Sequence, residues 1–373
     1  MMLGLIAALA GVGLLFWLQN WLYKHFWNKH LTVDISFSTN HAVEGDKIYL
    51  YEELRNEKIL PLSMVKVKFT TEKELLFDEA EEGSVTDRYY RNDILSAMMY
   101  QRVKRKIPLV CSHRGIYAIE DVDVVGSDLF LSEFYVFHME KRSSVVVCPR
   151  HLPFGQLNIP FRNIMGMVLS NQRLYRDPFE FSGIREYQSY DSMKMVNWKA
   201  TAKTGSLQVN VKDYTANRSV RIVLNIKSRF AYREKEMEEE CIRIAATLAE
   251  KLLAEGVQVE LESNGRLGTT KETARMPLGA RKEYSKKIDE TLALIDTNIE
   301  TDSVLDLIEK KVQNEKTVCI LISREGRDEI QEAVWQKQKT GESCYWIMPQ
   351  YEDEEIQIKK ELQSYVSPYY VKR

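Results

Sequence analysis

The densest concentration of side chains able to do chemistry lies between Gly183 and Val209. There Arg185, Glu186, Asp191, Lys194, Lys199 and Lys203 mix both signs, and Tyr187, Tyr190 and Trp198 add large, partly polar surfaces. Glu186 and Asp191 are two carboxylates, the minimum for general acid and base work. That work needs one carboxyl with a raised pKa beside a substrate cleft, and nothing in the segment marks either. Arginine and carboxylates at such spacing can instead lock a connecting loop through bidentate hydrogen bonds. Trp, Tyr and Arg also dominate the residues that carry binding energy at interfaces. Gly183, Arg185, Glu186, Tyr187, Asp191, Lys194, Trp198 and Lys199 are therefore expected to form a docking surface, a clamp between domains, or both, with a carboxylate-based enzyme using Glu186 and Asp191 as a third reading.

Elsewhere the chain offers little for catalysis. All six histidines, His25, His30, His41, His113, His138 and His151, precede residue 152, which leaves the later part without the side chain most used for proton transfer near neutral pH. Cys111 and His113 make half a metal site at most, because no second pair follows at a usual spacing. No phosphate loop, dinucleotide fingerprint, zinc-protease helix or nucleophile elbow is present. Binding, not catalysis, is the expectation, with no cofactor.

The elements that must position these residues fall into four segments: 1–23, 31–150, 151–217 and 218–373. Met1 to Leu18 carries no charged or strongly polar side chain, and Trp17, Trp21 and Tyr23 follow. About 20 apolar residues span a bilayer core, with aromatics at the headgroups. A cleaved signal peptide would show a basic start and a small-residue cleavage site, and this segment has neither. Lys24 and Lys29 follow the run and no Lys or Arg precedes it, so the positive-inside bias makes a single-pass anchor with the soluble domains in the cytoplasm. The five widely spaced cysteines, Cys111, Cys148, Cys241, Cys319 and Cys344, read as free thiols in a reducing compartment.

From residue 31 to 150 short strands with period-two alternation, such as Leu31 to Phe37, Lys47 to Glu52 and Val65 to Phe69, are separated by turn signals at Glu44-Gly45-Asp46, Asn56 to Pro61, Glu82-Gly83-Ser84 and His113-Arg114-Gly115. An antiparallel β-sandwich follows. The run Arg102 to Lys106 fits the solvated face of a strand better than a patch for anionic lipid. Residues 151–217 read as the charged segment and an interdomain linker. After Arg218 strands alternate with helices, as an α/β domain requires: strands Val220 to Ile226, Val257 to Leu261, Val318 to Ile322 and Cys344 to Ile347, with helices Arg233 to Ala254, Lys282 to Ile295, Ser303 to Val312, Asp328 to Lys337 and Glu352 to Leu362. With 373 residues, 44% of them apolar, the chain can bury more than one core, and its formal net charge of −2 argues against a general nucleic-acid binder.

The charged segment resembles the central signature of the domain-of-unknown-function family 58 (DUF58). Gly183, Arg185, Glu186, Tyr187, Asp191, Trp198, Ala202, Leu207 and Val209 match it. Lys194 and Lys203 stand where arginine is usual, Asn197 where aspartate is common and Tyr190 where glycine is usual. Upstream, Glu44-Gly45, Asn56 with Leu60-Pro61, Arg114 to Tyr117, Ser127 to Phe130 and Val147 to Arg150 resemble the family's sandwich half. The resemblance implies that the last segment is similar to a von Willebrand factor A-type domain, in which an Asp-x-Ser-x-Ser motif holds a divalent cation. Here those positions are Asn225, Lys227 and Arg229, two of them cationic, and hard cations need clustered oxygens; no metal is expected. The resemblance further implies protein partners, a MoxR-type AAA+ ATPase and a transglutaminase-like membrane protein among them, in the assembly or maturation of a complex. The expectation is thus a membrane-anchored, non-enzymatic adaptor or scaffold. An outward-facing cell-envelope structural or ligand-binding protein is the alternative.

Overall fold

Period-two burial builds the first half of the chain. In the computed structural model, which describes residues 2–77, 83–85, 88–174, 181–188, 191–212, 218–226, 235–310, 317–354 and 356–372, the chain divides into two units, Met1–Arg150 and His151–Arg373. The first begins with α1 (Met2–Phe26) and continues through β1 (Leu31–Phe37), β2 (His41–Val43), β3 (Lys47–Asn56), β4 (Leu62–Glu72), β5 (Leu75–Phe77), β6 (Gly83–Val85), β7 (Arg88–Ala97), β8 (Arg102–Cys111), β9 (Gly115–Ser127) and β10 (Phe134–Cys148). They form two sheets, β1-β3-β8-β5 and β2-β10-β9-β4-β7-β6. Leu50, Leu54, Ile107 and Leu109 of one sheet share a core with Val65, Val67, Val122, Val124 and Val145 of the other. The pairing departs from the expected antiparallel pattern in one place, where β2 runs parallel to β10. Gly83 and Ser84, read as a turn, lie in β6.

The end of α1 is part of this unit's core. Tyr23 and Trp27 are buried with it, and Tyr23 donates its hydroxyl to the Pro61 carbonyl at 2.6 Å. Trp27 stacks on Tyr135, ring centroids 6.0 Å apart. Gly126 makes room for it: a Cβ there would stand 2.3 Å from the Trp27 ring. Burying two such aromatics contributes roughly 1.5–3 kcal/mol each, so the helix is fixed to the sandwich by its last turns.

The second unit contains α2 (Asn158–Leu174), β11 (Phe181–Glu186), α3 (Trp198–Thr204), β12 (Gln208–Lys212), β13 (Ser219–Leu224), α4 (Lys235–Ala254), β14 (Gln258–Leu267), β15 (Thr273–Gly279), α5 (Tyr284–Ala293), β16 (Ile295–Asp296), α6 (Val304–Glu309), β17 (Val318–Ile322), α7 (Asp328–Lys339), β18 (Cys344–Tyr351) and β19 (Val366–Val371). Its large sheet has the order β15-β14-β13-β17-β18-β19, with β16 also on β14. Strands β14 to β19 along this order are parallel, while β15 and β16 run antiparallel to β14. β13 is buried on both faces: Val220, Ile222 and Leu224 lie in one core and Val223 in the other. That double burial is why it reads as a mostly apolar strand, with Arg221 the charged exception.

Four elements differ from the sequence reading. Among the described residues of Glu352 to Leu362 the regular structure is a 3-10 turn at Lys360–Leu362 and not a continuous helix. The Gln331 side chain holds the Gln357 carbonyl at 3.0 Å and the Lys359 amide at 2.9 Å, and Ile356 and Ile358 pack against the second core, an alternation of period two. Part of the segment read as linker is core, because α2 buries Ile164 and Val168 against the sheet. The edge strands β15 and β19 were absent from the sequence reading altogether.

Candidate functional site

The charged segment is a hairpin with a locked excursion. β11 and β12 pair antiparallel, setting Arg185 opposite Val209 and Glu186 opposite Gln208. Arg185 then grips Asp191 with both guanidinium branches, at 2.6 and 2.7 Å, and also reaches the Glu186 carbonyl at 3.0 Å. The Gln188 amide donates to the same Asp191 carboxylate at 2.8 Å. Arg185, and after it that amide, hold the Asp191 carboxyl below its ordinary value, so it is an ionised acceptor. Asn197 caps α3 by accepting from Ala200 N at 3.0 Å and ties it to β12 through Asn210 at 2.7 Å. Gly205, in the left-handed region at φ 74°, ends that helix where a side chain would be strained.

This lock presents apolar side chains to solvent. Trp198 is 63% exposed, and Ile184, Met193 and Leu207 are exposed with it. Glu186, Lys194 and Lys199 are exposed, and Gly183 and Tyr187 half-buried. The structure thus joins Arg185 and Asp191 and leaves the cations of Lys194 and Lys199 at the surface. Tyr190 lies outside the described residues.

A second polar cluster closes the carboxyl ends of β13, β14 and β17. Asn225, buried, donates to Ser323 Oγ at 2.9 Å and Glu325 at 3.4 Å, and accepts from Asn264 at 2.8 Å. Asn264 Oδ1 takes the Ile226 amide at 2.9 Å, and Ser323 Oγ takes the Glu325 amide at 3.1 Å. Arg327 pairs with Glu325 and, at 3.2 Å, with Glu329. Of the three positions expected to mark a lost metal site, Asn225 is in this cluster, while Lys227 and Arg229 lie outside the described residues. The oxygens that are described do not suit a divalent cation, since those of Asn225, Ser323 and Glu325 are already bound to amides or to Arg327. Beside the cluster an open pocket of about 470 Å³ is lined by Gly326, Arg327, Asp328, Glu329, Gln331, Ile356 and Gln357.

Beneath the sheet Arg221 and Glu262 form a buried pair, with Arg221 also donating to the Leu307 carbonyl at 2.9 Å and Lys310 to Glu262 at 2.5 Å. Burial works to raise the Glu262 carboxyl, but hydrogen bonds from Lys310 and Arg221 outweigh it and keep it low. His151 plays a structural part in the second unit. It bridges Glu250 of α4 at 3.0 Å and Asp289 of α5 at 3.2 Å. The hydrogen bond to Asp289 raises its pKa against the effect of burial.

Sequence reading missed Asn264, Ser323, Glu325 and Arg327. For three of them the signal was position: Ser323, Glu325 and Arg327 follow the apolar run of β17 at a strand end, where α/β sheets gather polar groups, whereas Asn264 lies within β14 and carried no such signal.

With this geometry in place, comparison with known proteins adds a family match. The model of the family described as "Protein of unknown function DUF58" matches residues 183–334. That span takes in the clamp, β13 and the cluster at its end. No curated protein matches. Among solved structures, native alpha-2-macroglobulin from Escherichia coli, residues from domain MG7 to the C-terminus, has 17% identity and a TM-score of 0.25, over 33% of this chain and 17% of that one. A non-cellulosomal cohesin from Archaeoglobus fulgidus has 10% identity and a TM-score of 0.22, over 31% and 91% of the two chains. A CARDB domain from Pyrococcus furiosus has 14% identity and a TM-score of 0.22, over 31% and 91%. Likeness at that level carries no weight for function.

Proposed function

We propose that this chain is a membrane-anchored, non-enzymatic adaptor that binds another protein through the clamped 183–209 segment. The observation that carries the reading is the Arg185–Asp191 fork, which fixes the loop after β11 in a segment that exposes Trp198, Met193, Ile184 and Leu207. A rigid aromatic and apolar surface loses little conformational entropy on binding, and hence binds well for its size. Its partner is a MoxR-type AAA+ ATPase, with a transglutaminase-like membrane protein as a further member of the assembly. The second unit's parallel sheet with an antiparallel edge beside β14 supports a von Willebrand factor A-like domain. Its cation position is degenerate, replaced by the amide network around Asn225.

The anchor is α1, whose stretch Gly4–Phe26 is long and apolar enough to cross a membrane. Lys24 and Lys29 after it favour soluble units on the cytoplasmic side. The test of the adaptor reading is capture from detergent-solubilised membranes by the full chain, with Arg185→Ala and Trp198→Ala beside it. The ATPase is expected on the native chain and lost from both variants. Equal capture by folded variants would remove the docking role.

A further inference from the structure

The strand registers put three loops, one closing the β9–β10 hairpin and two crossing between the sheets, at the same end of the first unit, the end where α1 leaves it. Leu31 pairs with Asn56, Arg55 with Arg102, Leu62 with Ala97 and Ser127 with Phe134, so the 57–61, 98–101 and 128–133 loops lie side by side. Hydrogen bonds join them: Asn56 Nδ2 reaches the Leu60 and Met98 carbonyls at 2.9 and 2.8 Å, and Ser63 Oγ reaches the Asp128 carbonyl at 3.3 Å. Their tips carry Ile59, Met98, Tyr100, Leu129, Phe130 and Leu131, all exposed. At the opposite end the loops read Glu44-Gly45-Asp46, Lys73-Glu74 and Ser112-His113-Arg114. The first end is apolar at the middle of its loops, with the exposed Glu57 and Glu133 at their bases, and the other is charged throughout.

We infer that these three tips insert into the bilayer that α1 spans, so that the sandwich is seated on the lipid surface and not held off it on a stalk. The inference rests on α1 being a membrane span. What places the lipid at the tips is the contact between helix and loop: Phe130 stacks on Phe16 with ring centroids 5.9 Å apart, and Gln19 donates to Asp128 at 3.2 Å. The 23 residues of Gly4–Phe26, at 1.5 Å each, make about 35 Å, roughly 5 Å more than a ~30 Å hydrocarbon core. That surplus covers about one turn near Phe26, which puts the exposed Trp21 near the headgroup level and leaves Phe16 about 10 Å on the hydrocarbon side. Phe130 lies at the depth of Phe16.

In the 128–133 loop four of the six backbone amides bond within the loop, which lowers the cost of bringing it into lipid. The Ser132 and Glu133 amides bond Asp128 Oδ1 at 2.6 and 3.1 Å. The Leu131 amide reaches the Asp128 carbonyl at 3.2 Å, and the Asp128 amide the Glu133 carbonyl at 3.3 Å. Ser132 Oγ and Gln19 satisfy Asp128 Oδ2. Tyr100 and Leu131 hold left-handed backbone at φ 52° and 60°, where glycine or asparagine would be relaxed. Large apolar side chains kept there at a backbone cost fit a use for the side chains themselves. Lys66, whose Nζ lies 5.6 Å over the exposed Phe134 ring, supplies a cation beside this end for anionic headgroups.

The test uses the full chain with Cys148→Ser, which removes the one described thiol that is not buried, reconstituted in phosphatidylcholine–phosphatidylglycerol vesicles. An environment-sensitive fluorophore is attached at Phe130→Cys, at Leu129→Cys as a second tip position, or at Lys73→Cys at the opposite end. In protein that stays with the vesicles through an alkaline wash, spin-labelled acyl chains should quench both tip labels severalfold more than the Lys73→Cys label, and aqueous iodide should do the reverse. Tip labels as open to iodide as the Lys73→Cys label would overturn the insertion while leaving the anchor intact, and so would tip labels shielded from both quenchers. Loss of the protein in the alkaline wash would overturn the anchor and the insertion together.

Discussion

Replacing Asn225 by aspartate puts a carboxylate into the buried amide cluster at the end of β13, and the structure indicates that this is harmful. The Asn225 amide donates to Ser323 Oγ at 2.9 Å and to the Glu325 carboxylate at 3.4 Å. Asn225→Asp removes both donations. The bond to the serine contributes about 1 kcal/mol. The new carboxylate also faces Glu325 at little more than hydrogen-bond distance, where like charges repel by up to about 4 kcal/mol at an effective dielectric of 20, until one of them takes up a proton. A net loss of about 3 kcal/mol follows, or roughly 6–12 °C in Tm for a unit of this size. The assay is thermal unfolding of the full chain with and without millimolar Mg²⁺. The native chain should melt at the same temperature in both, and the variant should stay destabilised in both, because Arg327 already pairs with Glu325. Native-like melting of Asn225→Asp, or its rescue by Mg²⁺, would refute the view that amides and Arg327 have taken over this position.

Three further outcomes follow from the same structure. Glu262→Gln should destabilise by about 3–5 kcal/mol by stranding the buried Arg221 charge, whereas Arg221→Met with Glu262→Met should recover much of it in denaturant unfolding, as replaced buried pairs often do. His151→Gln should cost about 1 kcal/mol at mildly acidic pH. Because the folded His151 pKa is raised, its contribution is complete below the ordinary imidazole value of about 6.5 and fades as pH rises through the raised one, so native and variant stability curves should converge towards alkaline pH; curves that stay parallel would exclude the bridge. Gly126→Ala, whose Cβ would stand 2.3 Å from the Trp27 ring, should loosen the end of α1 by about 1–3 kcal/mol, seen as a drop in melting temperature with a red shift of tryptophan emission.

How far the sequence discloses all this depends on whether a residue's role is local. β1 was read with its bounds intact because alternation alone specifies a strand with one wet face, and Val318–Ile322 because an unbroken apolar run suits a strand covered twice. The Arg185–Asp191 fork was within reach, since both partners sit in one short segment. The cluster around Asn225 was not, because Asn264, Ser323 and Glu325 arrive from other strand ends and no local pattern ties them together. The Glu352–Leu362 segment misleads because its charge mimics a solvated helix, while its two isoleucines are held against α7 by a contact that no local pattern shows. The apolar loop tips went unremarked for a related reason: each is an ordinary turn by itself, and only the strand registers show that they share an end with α1.

The central claim is that the clamped segment is a docking surface, and the affinity of the purified full chain in detergent for a purified MoxR-type ATPase tests it most directly. Trp198→Ala, an exposed change, should weaken that binding by at least about 2 kcal/mol, roughly 30-fold, as truncation of an aromatic anchor does, while melting stays native. Unchanged affinity in Trp198→Ala, or no measurable binding by the native chain, would contradict it.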